Sequence, residues 1–170
     1  GLSVCVLEKH SVIGGCLQSF KRNGYTLDTG MHYVGSLSEG QIMHQYFKYL
    51  GVINSLKLRK LDENGFDHFH FSDGSSFCHA MGYEKFIGTL VSNFPHEKDG
   101  ICSFARTLQY VGRLITPEIL REGKISNGGI GYMSISAYKE IEKHIKDEKL
   151  RRVLAGNCGL YAGNSLSTSL

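Results

Sequence analysis

The sequence of 170 residues predicts an α/β fold at its start, followed by a mixed α+β region. An uninterrupted apolar run at residues 4–7 is typical of a strand that a parallel sheet buries on both faces. Residues 66–80 have the pattern of a β-hairpin, and apolar side chains recur at helical spacing through residues 98–115. These features predict a sheet-based first part and a second part that combines a hairpin with helices.

The remaining elements follow from glycine content and apolar periodicity. The first 35 residues are dense in glycine and predict the order strand, loop, short strand, loop. Helical spacing predicts helices over residues 40–50, 83–94, 98–115, 137–145 and 147–156. Gly51 and Pro95 are well placed to end the first two helices, and the glycine-rich residues 125–135 predict a loop. Phe104 lies at the centre of the apolar face of the third helix, where we expect it to fill a core.

The composition excludes several classes of protein. Apolar residues make up 41% of the chain and charged residues 21%, which excludes ordinary disorder. The net charge of +3, without a basic run, argues against a nucleic-acid partner. The sequence contains no stretch of about 18 apolar residues and no basic-then-apolar pattern of the kind that signal peptides have. Five scattered cysteines fit reduced thiols, so we expect a cytoplasmic protein, with peripheral membrane contact left open.

The two ends of the sequence predict that the chain is a fragment. The apolar run begins almost at Gly1, and a strand there has no sheet unless other strands join it. Residues 164–170 stop without a helix cap or a turn. We therefore expect further segments of the same protein before and after this chain.

The hairpin offers a metal-binding alternative. Asp73 and Gly74 predict a two-residue turn, because both tolerate a positive φ. The register then pairs Ser72 with Ser75, His70 with Phe77, Phe69 with Cys78 and His68 with His79. His68, His70 and His79 would share one face, and three imidazoles could ligate Zn²⁺ with an open fourth position. The alternative function is a non-enzymatic interaction or metal-binding module, although the absence of an evident supporting carboxylate favours a solvated polar face.

Candidate cofactor-binding residues lie in the glycine-rich start. Glu8 follows the apolar run, and the two oxygens of an acidic residue at this place can accept both ribose hydroxyls in dinucleotide-binding folds. Gly14 and Gly15 allow a backbone to approach a pyrophosphate or a neighbouring loop closely. The alternatives are a plain strand end for Glu8 and a plain turn for the two glycines.

One ordered set of residues resembles the N-terminal region of the flavin-dependent phytoene desaturase and retinol saturase family. The set comprises Val6-Leu7-Glu8-Lys9-His10, Gly14-Gly15, Phe20, Gly24-Tyr25, Asp28-Thr29-Gly30 and His32-Tyr33-Val34-Gly35. The retinol saturase branch is nearest, because residues 27–35 match its pattern almost throughout. Looser similarity continues at residues 71–74, 93–95 and 150–163.

The resemblance implies an FAD-dependent oxidoreductase that exchanges hydride between flavin and a carbon–carbon bond of an apolar, polyene-like substrate of the carotenoid or retinoid type. NAD(P) is the candidate electron donor or acceptor. The implied architecture is a partial Rossmann-like FAD-binding lobe over residues 1–35, followed by a mixed α+β substrate-binding lobe over residues 36–170. Neither the direction of the reaction nor an oligomeric state follows from the sequence.

The resemblance also implies roles for single residues. The implied cofactor-binding set is Glu8 on the adenosine ribose with Lys9 beside it, Gly14 and Gly15 near the pyrophosphate, and Gly30 and His32 along the isoalloxazine. A structural role is the alternative for His32. Family members carry a strand and a GxGxxG loop ahead of the Glu8 strand, and this sequence has neither. We therefore expect the chain alone to bind FAD weakly or not at all and to be inactive.

Three further alternatives stay open. Cys16 in the glycine-rich loop is a candidate nucleophile, although a small buried thiol is favoured. The amphipathic residues 98–115 could contact a membrane or a lipid substrate, although a core helix is favoured. A relative of the flavin amine oxidases fits Asp28 and Gly30 loosely and His32 less well.

Overall fold

The computed structural model describes residues 2–31, 33–114, 131–132, 134–161, 163–164 and 168. The chain divides into two compact units, a first unit, Gly1–Asn54, and a second unit, Ser55–Leu170. The functional division at residue 35 stays a prediction. The loop predicted at residues 125–135 lies largely outside the described residues.

The first unit is built on a hairpin of two antiparallel strands, β1 (Ser19–Arg22) and β2 (Tyr25–Asp28). Its turn residues, Asn23 and Gly24, both have positive φ, at 50° and 82°. This is the conformation of a type I′ turn, and Asn-Gly is the residue pair that favours it. The sequence predicts a single short strand in this region, whereas the structure has two.

The apolar run at residues 4–7 is not a buried strand in this structure. Val4, Val6 and Leu7 are 81%, 84% and 92% exposed, and residues 2–8 have no strand partner among the described residues. A strand of a parallel sheet needs neighbours for its backbone groups and cover for both faces. The described part of the first unit offers only β1 and β2, which pair with each other. The predicted buried strand is therefore wrong for this structure.

The helix predicted over residues 40–50 is confirmed as α1 (Ile42–Tyr49). It ends as predicted at Gly51, which has a φ of 73° and donates its N–H to the carbonyl of Lys48 at 3.0 Å. A glycine in the left-handed conformation is a common way to end a helix.

The second unit begins with the hairpin β3 (Asp67–His70) and β4 (Ser76–His79), whose existence confirms the prediction. Its register differs from the predicted one by one residue, so that Phe69 lies opposite Phe77. The N–H of Phe71 donates to the carbonyl of Ser75 at 3.0 Å, which leaves a three-residue loop in place of the two-residue turn.

The side chain of Asp73 explains the longer loop. Its Oδ1 accepts hydrogen bonds from the backbone N–H and the hydroxyl of Ser75, at 3.0 Å and 2.6 Å. Gly74 takes the left-handed conformation that such a loop requires, with a φ of 83°. Because side chains alternate along a strand, a register change of one residue moves each partner to the other face. His79 therefore lies on the face of Phe69, and not with His68 and His70.

Four helices complete the described part of the second unit. They are α2 (Tyr83–Asn93), α3 (Lys98–Arg113), α4 (Ala137–His144) and α5 (Glu148–Leu154), and they confirm the four helices predicted after residue 80. Pro95 follows the end of α2 and begins a short 3₁₀ turn. Ser136 and Asp147 cap α4 and α5 by accepting backbone N–H groups. Within the described residues, no helix is both long and apolar enough to cross a membrane.

The core of the second unit lies between these helices and the hairpin. It consists of Leu90, Phe94, Ile101, Phe104, Ile141, Ile145, Leu150 and Val153, and the side chains of Phe69, Phe71, Phe77 and Phe86 pack against it. Phe104 is 5% exposed, which confirms that it fills the core. A close approach of α3 to the end of α4 also shapes this core, because a Cβ on Gly100 would lie 2.3 Å from the His144 carbonyl oxygen.

Candidate functional site

Glu8 lies at the end of the exposed apolar run and is held by a local turn. Its Oε1 accepts a hydrogen bond from the backbone N–H of His10 at 2.7 Å. The Nδ1 of His10 in turn accepts the N–H of Val12 at 3.2 Å. The side chains of Glu8 and Lys9 are exposed. The turn fixes one carboxylate oxygen, and the other oxygen has no hydrogen-bond partner in the part of the chain that the structure describes.

The paired glycines form a bend that other residues would enter only with strain. Gly14 has a φ of 120° and Gly15 a φ of 54°, both outside the usual range of L-residues. A Cβ on Gly14 would lie 3.2 Å from the backbone nitrogen of Gln18, whereas a Cβ on Gly15 would meet no atom within 4 Å. Gly14 therefore permits a tight bend, and Gly15 leaves one side of the backbone open to a ligand.

A second loop contacts this bend at Gly30. A Cβ on Gly30 would lie 2.6 Å from the carbonyl oxygen of Cys16, so only glycine allows this approach. The hydroxyl of Thr29 lies 2.9 Å from the same oxygen and 2.7 Å from the carbonyl oxygen of Gln18. The structure thus brings together three of the six predicted residues, Gly14, Gly15 and Gly30.

The other predicted residues are placed differently. Glu8 and Lys9 lie on the preceding segment, and His32 lies outside the described residues. The sequence reasoning missed Thr29, because the two carbonyl groups near its hydroxyl lie 13 and 11 residues away in the sequence. Cys16 contributes its carbonyl to this contact, and its thiol is exposed, so the favoured buried thiol is wrong.

An open cleft of about 620 Å³ lies against these two loops. It is lined by His10, Val12, Gln18, Ser19, Phe20, Lys21, Thr26 and Thr29. The lining combines a lysine, an imidazole and hydroxyl groups with two apolar side chains. A concave surface with a few polar groups on an apolar lining is typical of small-molecule sites. The cleft is bordered by the turn that holds Glu8 and by the Thr29 contact.

The second unit has another open cleft, of about 400 Å³, next to the hairpin loop. There Lys149 donates to Asp73 at 2.5 Å and to Ser75 at 2.9 Å. The hydrogen bond from Lys149, together with those that Asp73 accepts from Ser75, holds the pKa of the Asp73 carboxyl well below its usual range. Arg152 is paired with Glu148. These charged side chains pair with one another, and the hydrogen bonds of Lys149 join the hairpin loop to α5.

The predicted histidine site is not formed. His68 and His70 are exposed and stack on each other, with ring centroids 6.4 Å apart, whereas His79 is buried on the opposite face of the hairpin. No group of three or more histidine, cysteine, aspartate or glutamate side chains could hold a metal ion in the part of the chain that is described. The prediction that His68, His70 and His79 share one face is therefore wrong.

Comparison with known proteins supports the flavoenzyme resemblance. The family model of the NAD(P)-binding Rossmann-like domain matches residues 1–50. Prolycopene isomerase 2, chloroplastic, from an Oncidium hybrid cultivar is 36% identical over 104 residues, which are 61% of this chain and 18% of that protein. All-trans-retinol 13,14-reductase from Rattus norvegicus is 50% identical over 129 residues, 71% of this chain and 20% of that protein.

A bacterial protein extends the similarity along the chain. The 4,4'-diapolycopen-4-al dehydrogenase of Metabacillus indicus is 25% identical over 186 aligned positions, which cover 99% of this chain and 36% of that protein. This chain belongs to the carotenoid and retinoid oxidoreductase family. The family resemblance predicted from the ordered residues at the start of the chain is therefore confirmed.

A Rossmann-like region is confirmed at the start, together with a mixed helix and strand structure whose sheets are small. The substrate-binding lobe stays a prediction. The chain spans about a fifth of the length of the first two relatives. No solved structure matches the chain.

Proposed function

We propose that this chain forms part of an FAD-dependent oxidoreductase that exchanges hydride between flavin and a carbon–carbon bond of an apolar, polyene-like substrate. The names of the relatives support this class of substrate, since they refer to prolycopene, retinol and a diapolycopenal. The proposed partner is an apolar small molecule, with NAD(P) as the candidate electron donor or acceptor. Cytoplasmic localisation and peripheral membrane contact remain predictions.

The contact between the two glycine loops carries the proposal. The Gly14–Gly15 bend and Gly30 meet through backbone atoms, and Gly15 keeps an open side that a side chain would fill. Such a backbone surface suits a ligand that must approach closely, as a pyrophosphate or a flat ring does. The cleft beside it has a lysine and hydroxyl groups but no carboxylate in its lining. The described residues therefore fit a dinucleotide.

Each residue has a defined part in the proposal. Glu8 would accept the hydroxyls of the adenosine ribose with the carboxylate oxygen that its turn leaves open. Gly14 and Gly15 would lie near the pyrophosphate, and Gly30 would lie along the isoalloxazine with His32, whose role rests on the resemblance. FAD, when bound, supplies the group that takes up or releases hydride. The residues of the chain would bind and orient FAD, and none of them is assigned as a general acid or general base.

The test uses a chimera in which this chain replaces the aligned segment of the rat all-trans-retinol 13,14-reductase. We expect the purified chimera to carry flavin, measured by visible absorbance. Glu8→Ala should weaken FAD binding by about tenfold or more, because a charge-assisted hydrogen bond contributes about 1.5–3 kcal/mol. The matched control is Glu39→Ala, an exposed glutamate of the same unit, which should retain the affinity.

Two outcomes would contradict the proposal at different levels. A folded chimera without flavin, next to an unaltered reductase that has it, would remove the FAD site from this chain. A chimera with flavin whose affinity survives Glu8→Ala would remove only the ribose contact. The chain alone should be colourless after purification. Flavin at a stoichiometric ratio in that preparation would contradict the expectation that the chain alone binds FAD weakly or not at all.

A further inference from the structure

The buried face of the β3–β4 hairpin carries a histidine that the proposed function does not use. His79 is 6% exposed, and its Nε2 has no hydrogen-bond partner among the described residues. Buried polar atoms in folded proteins nearly always have a partner, so an unpaired one requires an explanation. A neutral imidazole leaves Nε2 as an unpaired polar atom here, whereas an imidazolium would leave an unpaired charged N–H, which costs more to bury.

Phenylalanine rings surround His79. Their centroids lie 4.7 Å away for Phe69 of β3, 5.5 Å for Phe86 of α2 and 6.3 Å for Phe66, which precedes β3. The imidazole therefore lies between the hairpin and α2. A ring face attracts a cation only weakly compared with the hydration that a buried cation loses. A charged imidazolium would be poorly solvated here.

The charged groups around His79 do not change this balance. Asp67 lies opposite His79 in the hairpin, and its Oδ2 accepts a hydrogen bond from Asn157 at 2.9 Å. On the side of α2, Lys85 pairs with Glu63 at 2.9 Å, and Glu84 is exposed. Burial lowers the pKa of His79, and the charge of Asp67 opposes this only in part.

We propose that His79 is an acid-sensitive latch, whose protonation separates the β3–β4 hairpin from α2. The neutral ring packs between the two elements, whereas the imidazolium must reach water. This inference is independent of the proposed function, because it concerns the second unit alone. It gives the hairpin two states, one docked on the core and one released, with proton concentration setting their ratio.

The sign of the pH dependence follows from the buried neutral form. The unfolded chain takes up a proton on His79 around the ordinary value of 6.5, whereas the folded chain resists protonation. The unfolded state thus binds more protons below that value, and stability falls as the pH is lowered. Above it both states are neutral, and the contribution of His79 is fully present.

The experiment compares urea unfolding of the full chain at about pH 7.5 and about pH 5.5, on either side of the ordinary histidine pKa. We expect His79 to lower the folding equilibrium constant by up to about tenfold at the lower pH. His79→Phe should remove this part of the decrease, because a phenyl ring fits the same aromatic surroundings without titrating. His70→Phe, at an exposed position of the same hairpin, should retain the full decrease.

NMR of the unaltered chain provides a second measurement that does not depend on a variant. The His79 ring protons should stay at their neutral shift while the hairpin is docked. Nuclear Overhauser effects between the His79 ring and the Phe86 ring of α2, whose centroids lie 5.5 Å apart, should weaken at low pH as the hairpin separates from α2. Titration of His79 at its ordinary value in the folded chain would overturn the proposal. A full pH dependence in His79→Phe would overturn it as well.

Discussion

The two units of this chain are stabilised in different ways. In the first unit, none of the described residues is buried, and the contacts that define it are the pairing of β1 with β2, backbone turns and the hydrogen bonds of Thr29. In the second unit, apolar side chains from four helices and a hairpin form a packed core. The residues that identify the family are concentrated in the first unit, where backbone conformation decides the structure. Substitutions in the core of the second unit should therefore change the free energy of unfolding more, and affect more residues, than substitutions in the first unit.

The largest effect is expected at the centre of the core. Phe104→Ala should lower the free energy of unfolding of the second unit by about 3–5 kcal/mol, because it removes a buried ring and leaves a cavity. Urea unfolding followed by circular dichroism measures this change. Tyr110→Ala on the same helix is the control, since Tyr110 is 51% exposed and should cost far less. A loss under about 1 kcal/mol at Phe104 would show that its ring faces a cavity instead of filling the core.

A smaller effect is expected where α3 approaches α4. Gly100→Ala should lower the free energy of unfolding by about 1–3 kcal/mol, because its Cβ would collide with a carbonyl that cannot move alone. Gly88→Ala at the middle of α2 meets no atom within 4 Å and should raise stability by about 0.5–1 kcal/mol. Shifts of opposite sign in the thermal or urea midpoints of the two variants would confirm that packing around the added Cβ decides whether the substitution destabilises the chain. Equal signs would contradict the close approach.

The sequence predicts the helices of this chain well and the strands less well. Helical spacing identified α3 and its core residue Phe104, because that periodicity reports burial directly. The hairpin of β3 and β4 was predicted, but its register depended on hydrogen bonds of the Asp73 side chain that no local pattern displays. The apolar run at residues 4–7 was predicted as a buried strand, although a strand requires partners that the sequence of the run does not specify.

In the candidate site, too, local features could be predicted from the sequence, whereas contacts between distant residues could not. The pair of glycines and Gly30 could be found from the ordered motif, because their role is a property of their own backbone. Thr29 could not, since its function is to hold two carbonyl groups that lie far from it in sequence. His79 was placed on the wrong face because its position depends on the register. Interactions between distant residues are thus the part that a single sequence does not reveal.

The smallest expected effect tests the contact that defines the first unit. Thr29→Val keeps the shape of the side chain and removes the hydroxyl that lies within hydrogen-bond distance of the carbonyl oxygens of Cys16 and Gln18. Because these carbonyls are exposed, water can replace the lost donor, so we expect a local loss of about 0.5–1.5 kcal/mol. Amide exchange should accelerate at Thr29, whose N–H donates to Gln18 at 3.1 Å, and remain unchanged across the core of the second unit.

Thr26→Val is the matched control for this substitution. Thr26 is an exposed residue of β2, and its backbone pairs with Lys21 whatever its side chain. Because valine is favoured in strands, Thr26→Val should leave the exchange rates of the first unit unchanged or slow them slightly. If both valine variants behaved alike, the hydroxyl of Thr29 would not hold the two loops together, and the glycine contact alone would have to do so. If Thr29→Val also accelerated exchange in the core helices, the two units would not be stabilised separately.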